Sequence, residues 1–193
     1  MRKLLSILFL LLSSIVSAQI PAESVVAVKA PGQKFQFVNK QNGAPANQLL
    51  WDETDAFVNG FARVFLNNQF SFVNSTGNLI YPTVLEDARS FSNGLAAVKK
   101  DGKWSFLTET GKILFPFAYD IVFDFEGTVS VAFGNKKWWL INNTGDAVMP
   151  LDISVCYGFK NGVAKIIKDE KEGILYPNGR IALNAFKHNI PKS

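Results

Sequence analysis

LAAVKKDGKWSFLTETGKILFP, residues 95–116, reads as strand, turn, strand, turn, strand. In Lys103-Trp104-Ser105-Phe106-Leu107-Thr108 the large side chains Trp104 and Phe106 alternate with smaller or polar ones, the period of a half-buried strand. Asp101-Gly102 separates this run from the one before it. A type I′ turn needs positive φ at both central residues, so this dipeptide predicts a tight hairpin.

The same stretch recurs along the chain. Gly43, Gly77, Gly111, Gly145 and Gly179 follow one another at one constant step. Phe57, Phe91, Phe125 and Phe159 keep that step, within FVNG, FSNG, the shortened FEG and FKNG. Pro82, Pro116 and Pro150 each follow a turn glycine at the same short distance. Small residues at Ala62, Ala96, Ser130 and Ala164 precede Val64, Val98, Ala132 and Ile166 on one strand face, and small beside large lets copies stack. The second turn reads NSTG, TETG, NNTG and YPNG, a glycine beside Asn or Thr, as a left-handed backbone selects.

A three-stranded meander of about 34 residues cannot bury its own apolar face, so neighbouring copies must cover it. The expected fold is all-β, with four to five tandem three-stranded antiparallel meanders forming an open solenoid-like array over residues 19–186. A small or incomplete β-propeller is the alternative, although propeller blades usually carry four strands over about 40 or more residues.

The pattern F-x-N-G-[LV]-A-x-V, a short turn, K-W-x-[FL]-[IL], a turn glycine, then an apolar pair and Pro resembles the WG-repeat (KWG repeat) family of bacterial proteins. The glycine that usually follows the tryptophan is here Ser71, Ser105 and Trp139, and it survives as Gly173 after Glu172. The resemblance implies a β-rich repeat module in exported or surface proteins, with no established catalytic residues.

Arg2 and Lys3, the apolar run Leu4–Val16 and the small-residue site Val16-Ser17-Ala18 predict a cleavable signal peptide over residues 1–18. The run is shorter than the roughly 20 apolar residues that span a bilayer, so no stable membrane insertion is expected after cleavage. Expected locations are the periplasm, the cell surface or the medium. Removing residues 1–18 lowers the formal charge from +4 to +2. Such a mixed surface lacks the clustered cations of a nucleic-acid footprint, and Lys136-Lys137-Trp138-Trp139 reads as a hairpin with an exposed turn. Residues 187–193 form a polar C-terminal tail.

The chain's single cysteine, Cys156, is expected as a buried apolar residue, and its single histidine, His188, lies in that tail. Zinc sites and Ser-His or Cys-His nucleophiles need a well-held imidazole, so no metal, no cofactor and no catalytic residue is expected. Asp52, Glu86 and Asp120 recur at the repeat step, which suits an edge or turn acid in every copy rather than a unique glycosidase pair. Asn74-Ser75-Thr76 and Asn142-Asn143-Thr144 match glycosylation triplets, but turn chemistry accounts for them.

Trp104, Trp138, Phe70 and Phe72 are expected as a ladder between stacked copies. Trp139 is the candidate binding residue, because it sits on the face where the other copies carry Ser71, Ser105 and Gly173. It is either an exposed anchor or the filling of a gap under a loop. The functional expectation is a non-enzymatic exported module that binds a protein; the alternative is a carbohydrate-binding module that stacks sugars on Trp139.

Overall fold

A computed structural model describes residues 23–82 and 84–183. The expected leader and the expected tail with His188 lie outside the described residues. Apart from one short 3₁₀ turn at Pro31–Gln33, the regular structure described is β.

Five antiparallel sheets follow one another in chain order. The first holds β1 (Val25–Lys29) and β2 (Phe35–Asn39). The second holds β3 (Glu53–Thr54), β4 (Phe61–Leu66) and β5 (Gln69–Asn74); the third, β6 (Asp87–Ala88), β7 (Leu95–Lys100) and β8 (Lys103–Thr108). The fourth is built from β9 (Ile121–Val122), β10 (Val129–Gly134), β11 (Lys137–Asn142) and β12 (Ala147–Leu151). In the fifth, β13 (Val155–Lys160), β14 (Val163–Lys168), β15 (Lys171–Leu175) and β16 (Ile181–Leu183) pair in sequence. None of the sheets closes into a barrel, and the expected β-repeat, solenoid-like array is what the chain forms.

The constant step in sequence is also a step in space: β4, β7, β10 and β14 each begin one repeat after the last. Their hairpins turn on Asn67-Asn68, Asp101-Gly102, Asn135-Lys136 and Asp169-Glu170, each with positive φ at both positions. At Asp101-Gly102 the angles are 51° and 74°, and Lys100 pairs with Lys103 across the turn. These are the type I′ values that match strand twist.

The meander is longer than three strands: β3, β6, β9 and β13 add a strand ahead of these hairpins, and the expected third strand is the return. After the turn glycine the chain returns along the second hairpin strand, as β12 in the fourth sheet and β16 in the fifth. In the second and third sheets that return survives as isolated bridges, Val73 with Leu79 and Phe70 with Leu85, then Leu107 with Ile113 and Trp104 with Tyr119. The bridges fall at the two ends of a span too long for its partner strand, so the middle bows away. The end of each return crosses to the next sheet: Phe70 N donates to Leu85 O at 2.9 Å, and Glu86 N donates to Lys99 O at 2.9 Å. Trp104 with Tyr119 and Asp120 with Phe133 repeat this arrangement one unit later, at 2.8 and 2.7 Å.

Each face of the third sheet has one neighbouring sheet. Ala96, Val98 and Leu107 of the third sheet pack on Phe72 of the second, together with Phe91. On the opposite face Trp104 and Phe106 pack on Val122, Ala132 and Ile141 of the fourth. The aromatic side chains of the third sheet thus point to the following sheet and its smaller aliphatic ones to the preceding sheet, the arrangement expected from the alternation. Burying one such ring contributes roughly 1.5–3 kcal/mol. Every hydrophobic cluster found among the described residues joins two consecutive sheets.

The recurring turn glycine follows from the same stacking. A Cβ on Gly77 would lie 2.7 Å from Ala46 Cβ, and one on Gly145 would lie 2.9 Å from Leu114 O. One on Gly111 would run into the Ile80 carbonyl oxygen. The turn of each unit therefore rests directly on the return segment of the unit before it.

Candidate functional site

Asp52, Glu86 and Asp120 sit where the return segment crosses to the next sheet. Asp52 accepts from Lys34 Nζ at 2.8 Å and from the Asn67 amide at 2.9 Å. The Lys34 ammonium, helped by that amide, holds its carboxyl below the ordinary range. Glu86 accepts from the Gly102 amide at 3.0 Å, and Asp120 is paired with Lys103. Asp52 and Glu86 each satisfy a turn amide of the sheet they lead into, whereas Asp120 pairs back to Lys103 on the preceding sheet. Sequence reasoning expected edge or turn acids here, and this geometry is theirs.

The ladder residues lie between sheets. Trp104, Trp138 and Phe72 are buried, and Phe70 is half-buried. The Trp138 indole donates to Ser154 O at 3.3 Å, and the Arg89 guanidinium lies 4.8 Å from the Trp104 ring centre. Lys136 forms part of a hairpin turn and Lys137 is exposed, as expected for that basic pair.

Trp139 is half-buried. Its ring points toward the preceding sheet and packs on the cluster of Trp104, Phe106 and Ile141. Its indole nitrogen donates to Gly134 O at 3.4 Å. In the two preceding units the same register position holds Ser71 and Ser105, whose hydroxyls donate to Tyr81 O at 2.9 Å and Phe115 O at 2.5 Å, within their own return segments. Trp139 has Pro150 as its partner on β12. The indole thus occupies the place of a serine that pins the return, and part of it remains in solvent.

The return segments supply what the sequence did not single out. Leu50, Val84, Val148 and Met149 all lie between a turn glycine and the next sheet, and all are exposed, Val84 by 50% and Val148 by 52%. They place aliphatic side chains along one edge of the array in three units, and Val148 and Met149 precede Pro150, which lies opposite Trp139. Leu50 and Val84 lie beyond the apolar pair that follows the turn glycine, whereas Val148 belongs to it on the paired strand β12, and the exposure of none of them was visible in the sequence.

Cys156 is buried in the cluster between the fourth and fifth sheets, where burial pushes its thiol above the ordinary value. Among the described residues no group of three His, Cys, Asp or Glu side chains is gathered, and no helix is long and apolar enough to cross a membrane.

The family model of the WG containing repeat matches residues 70–104. That span runs from Phe70 to its counterpart Trp104 one unit on, and the chain carries the WG repeat that its motif suggested. No curated protein matches the chain. Among solved structures, the crystal structure of BamB from Moraxella catarrhalis is similar at 13% identity and a TM-score of 0.37. That likeness covers 86% of this chain, which spans 55% of the length of the other.

Proposed function

We propose that this chain of WG-type repeats is a non-catalytic, exported interaction module that holds a protein partner along the return-segment edge of its sheets. One observation carries the reading: Leu50, Val84, Val148 and Met149 expose aliphatic side chains on return segments of three units. Exposed apolar side chains arranged along one edge suit a partner that lies along the array, with polar turns as the rim. Trp139, opposite Pro150 on the same edge, adds a part-exposed aromatic of the kind that dominates binding energy. The leader motif of residues 1–18 supports export, to the periplasm or the cell surface.

The test is affinity capture with the protein recovered from cells expressing the full sequence, against envelope fractions of its source. Capture should be saturable for wild type, lost in Val84→Lys with Val148→Lys, and weakened in Trp139→Ala, all with unchanged circular dichroism. Equal capture by the variants would sink this reading of the edge. Retention of polysaccharide alone, sensitive to Trp139→Ala, would replace the protein partner with a glycan.

A further inference from the structure

Each sheet has a face toward its predecessor, and in four of the five that face is covered. The register identifies the matching positions. Ala62 pairs with Val73 and Val64 with Ser71 in the second sheet; Val26 pairs with Val38 and Val28 with Gln36 in the first. Ala62, Val64, Val73 and Ser71 are buried against the first sheet's Val25 and Phe37. Their equivalents Ala96, Val98, Leu107 and Ser105 are buried one sheet on. In the first sheet Val26 is 42% exposed and Val28 37%. The acceptor half of a junction is therefore present there with no donor half upon it among the described residues.

The donor half stands at the other end. On the fifth sheet the face that would meet a successor carries Ile174, in the register position of Phe106, and Tyr157, one repeat step after Phe123. Phe123 packs on the core between the fourth and fifth sheets, where Gly158 makes room for it: a Cβ there would lie 2.5 Å from its ring. Tyr157 is 60% exposed.

We propose that the predecessor-facing side of the first sheet docks the successor-facing side of the fifth sheet of a second copy of this chain, head to tail. The internal junctions dictate the polarity. Trp139 of the fourth sheet apart, each sets the large-residue face of one sheet on the small-residue face of the next, and two small-residue faces set against each other would have little to interdigitate. A heterologous contact of this kind generates open chains of copies rather than a two-fold dimer. The donor face is weakened by Glu172, at the register position held by Trp104 and Trp138, and by exposed Lys165. Burying charge at that position has a desolvation cost, which makes this contact weaker than an internal junction.

Sedimentation equilibrium of the recovered protein over a range of concentrations tests this. The average mass should climb with concentration past two copies. Val28→Lys and Tyr157→Lys, both at exposed positions, should each be monomeric alone, and an equimolar mixture should give dimers and stop, because one intact donor face then meets one intact acceptor face. Glu172→Trp should shift half-association to at least about tenfold lower concentration. A constant monomer mass for wild type overturns the proposal. So does a dimer that grows no further, a mixture that stays monomeric, or a Glu172→Trp variant that associates no more tightly than wild type.

Discussion

At the junction of the third and fourth sheets, Trp104 and Phe106 lie buried on Ala132 and Ile141. On the fifth sheet the same two register positions hold exposed Glu172 and half-buried Ile174. The hairpins that carry these pairs are alike, with turns of positive φ at Asp101-Gly102 and at Asp169-Glu170. Turn chemistry therefore does not distinguish an interior unit from the last described one. What differs is the face toward a successor, and the composition of that face tracks whether another sheet covers it. In a repeat array stability is a sum over units and nearest-neighbour contacts, so the two regions should answer differently to the same kind of substitution.

The largest contrast is expected from truncating the two equivalent residues. Phe106→Ala removes a ring that is 1% exposed, and should cost about 3–5 kcal/mol in urea unfolding. Ile174→Ala, on a face that no described sheet covers, should cost under about 1.5 kcal/mol. Equal losses would mean that the fifth sheet is covered as fully as the third.

Next come two glycines of one unit, both with positive φ: Gly102 at 74° and Gly111 at 79°. Alanine at Gly102 meets nothing within 4 Å and bears only the left-handed backbone cost of roughly 1–2 kcal/mol. At Gly111 the added Cβ also collides with the Ile80 carbonyl of the preceding unit. Gly111→Ala should therefore lose about 2–4 kcal/mol, and the difference between the two variants measures the packing of a turn on its neighbour. If the two variants unfolded at the same urea concentration, the close approach would be wrong.

A smaller effect is expected at the first junction. The Trp51 indole nitrogen is buried and finds no acceptor among the described residues. An unmet buried donor costs roughly 1–3 kcal/mol, so Trp51→Phe trades lost ring contacts against a removed penalty. The midpoint of thermal unfolding should move by no more than about 4 °C in either direction. A large drop would show that the indole N–H is satisfied in solution.

Much of this was legible because one short unit repeats. The constant step between turn glycines, the period-two alternation and Asp101-Gly102 together specified strand order, hairpin type and which face is large. The return was read as the last strand of residues 95–116, but its irregular pairing was not legible. Leu79-Ile80-Tyr81-Pro82 is a short apolar run that fits a strand, a loop or a packed turn equally well, and the return it begins pairs through isolated bridges at its ends. The first sheet was blurred for a different reason: Phe35 and Phe37 stand one position further from Phe70 and Phe72 than Gly43 stands from Gly77. That offset between the strand and its turn breaks the step there. Trp139 was placed correctly on the serine face, but that this face looks into a junction rather than outward follows from stacking, which no single strand records. The exposed aliphatic edge, on which the proposed function rests, depends on how the returns stack and is illegible for the same reason.

The smallest expected effect belongs to Asp52, at the crossing from the first sheet to the second. Its carboxylate joins Lys34, beside the first sheet, to the hairpin amide of Asn67 in the second. Both contacts favour the ionised form, so its folded pKa lies below the ordinary 3.8. A group whose pKa is depressed by folding adds stability above its unfolded value, and that contribution is lost as pH falls through the folded value. The side chain is solvent-facing, which keeps the effect small. Asp52→Asn should therefore unfold at a slightly lower urea concentration than wild type at about pH 6, and the gap should close at about pH 2.5. Added salt should narrow the gap at the higher pH, because an exposed pair is screened. A gap of the same size at both pH values would assign the effect to the lost turn cap alone, and the electrostatic tie between the first two sheets would be absent.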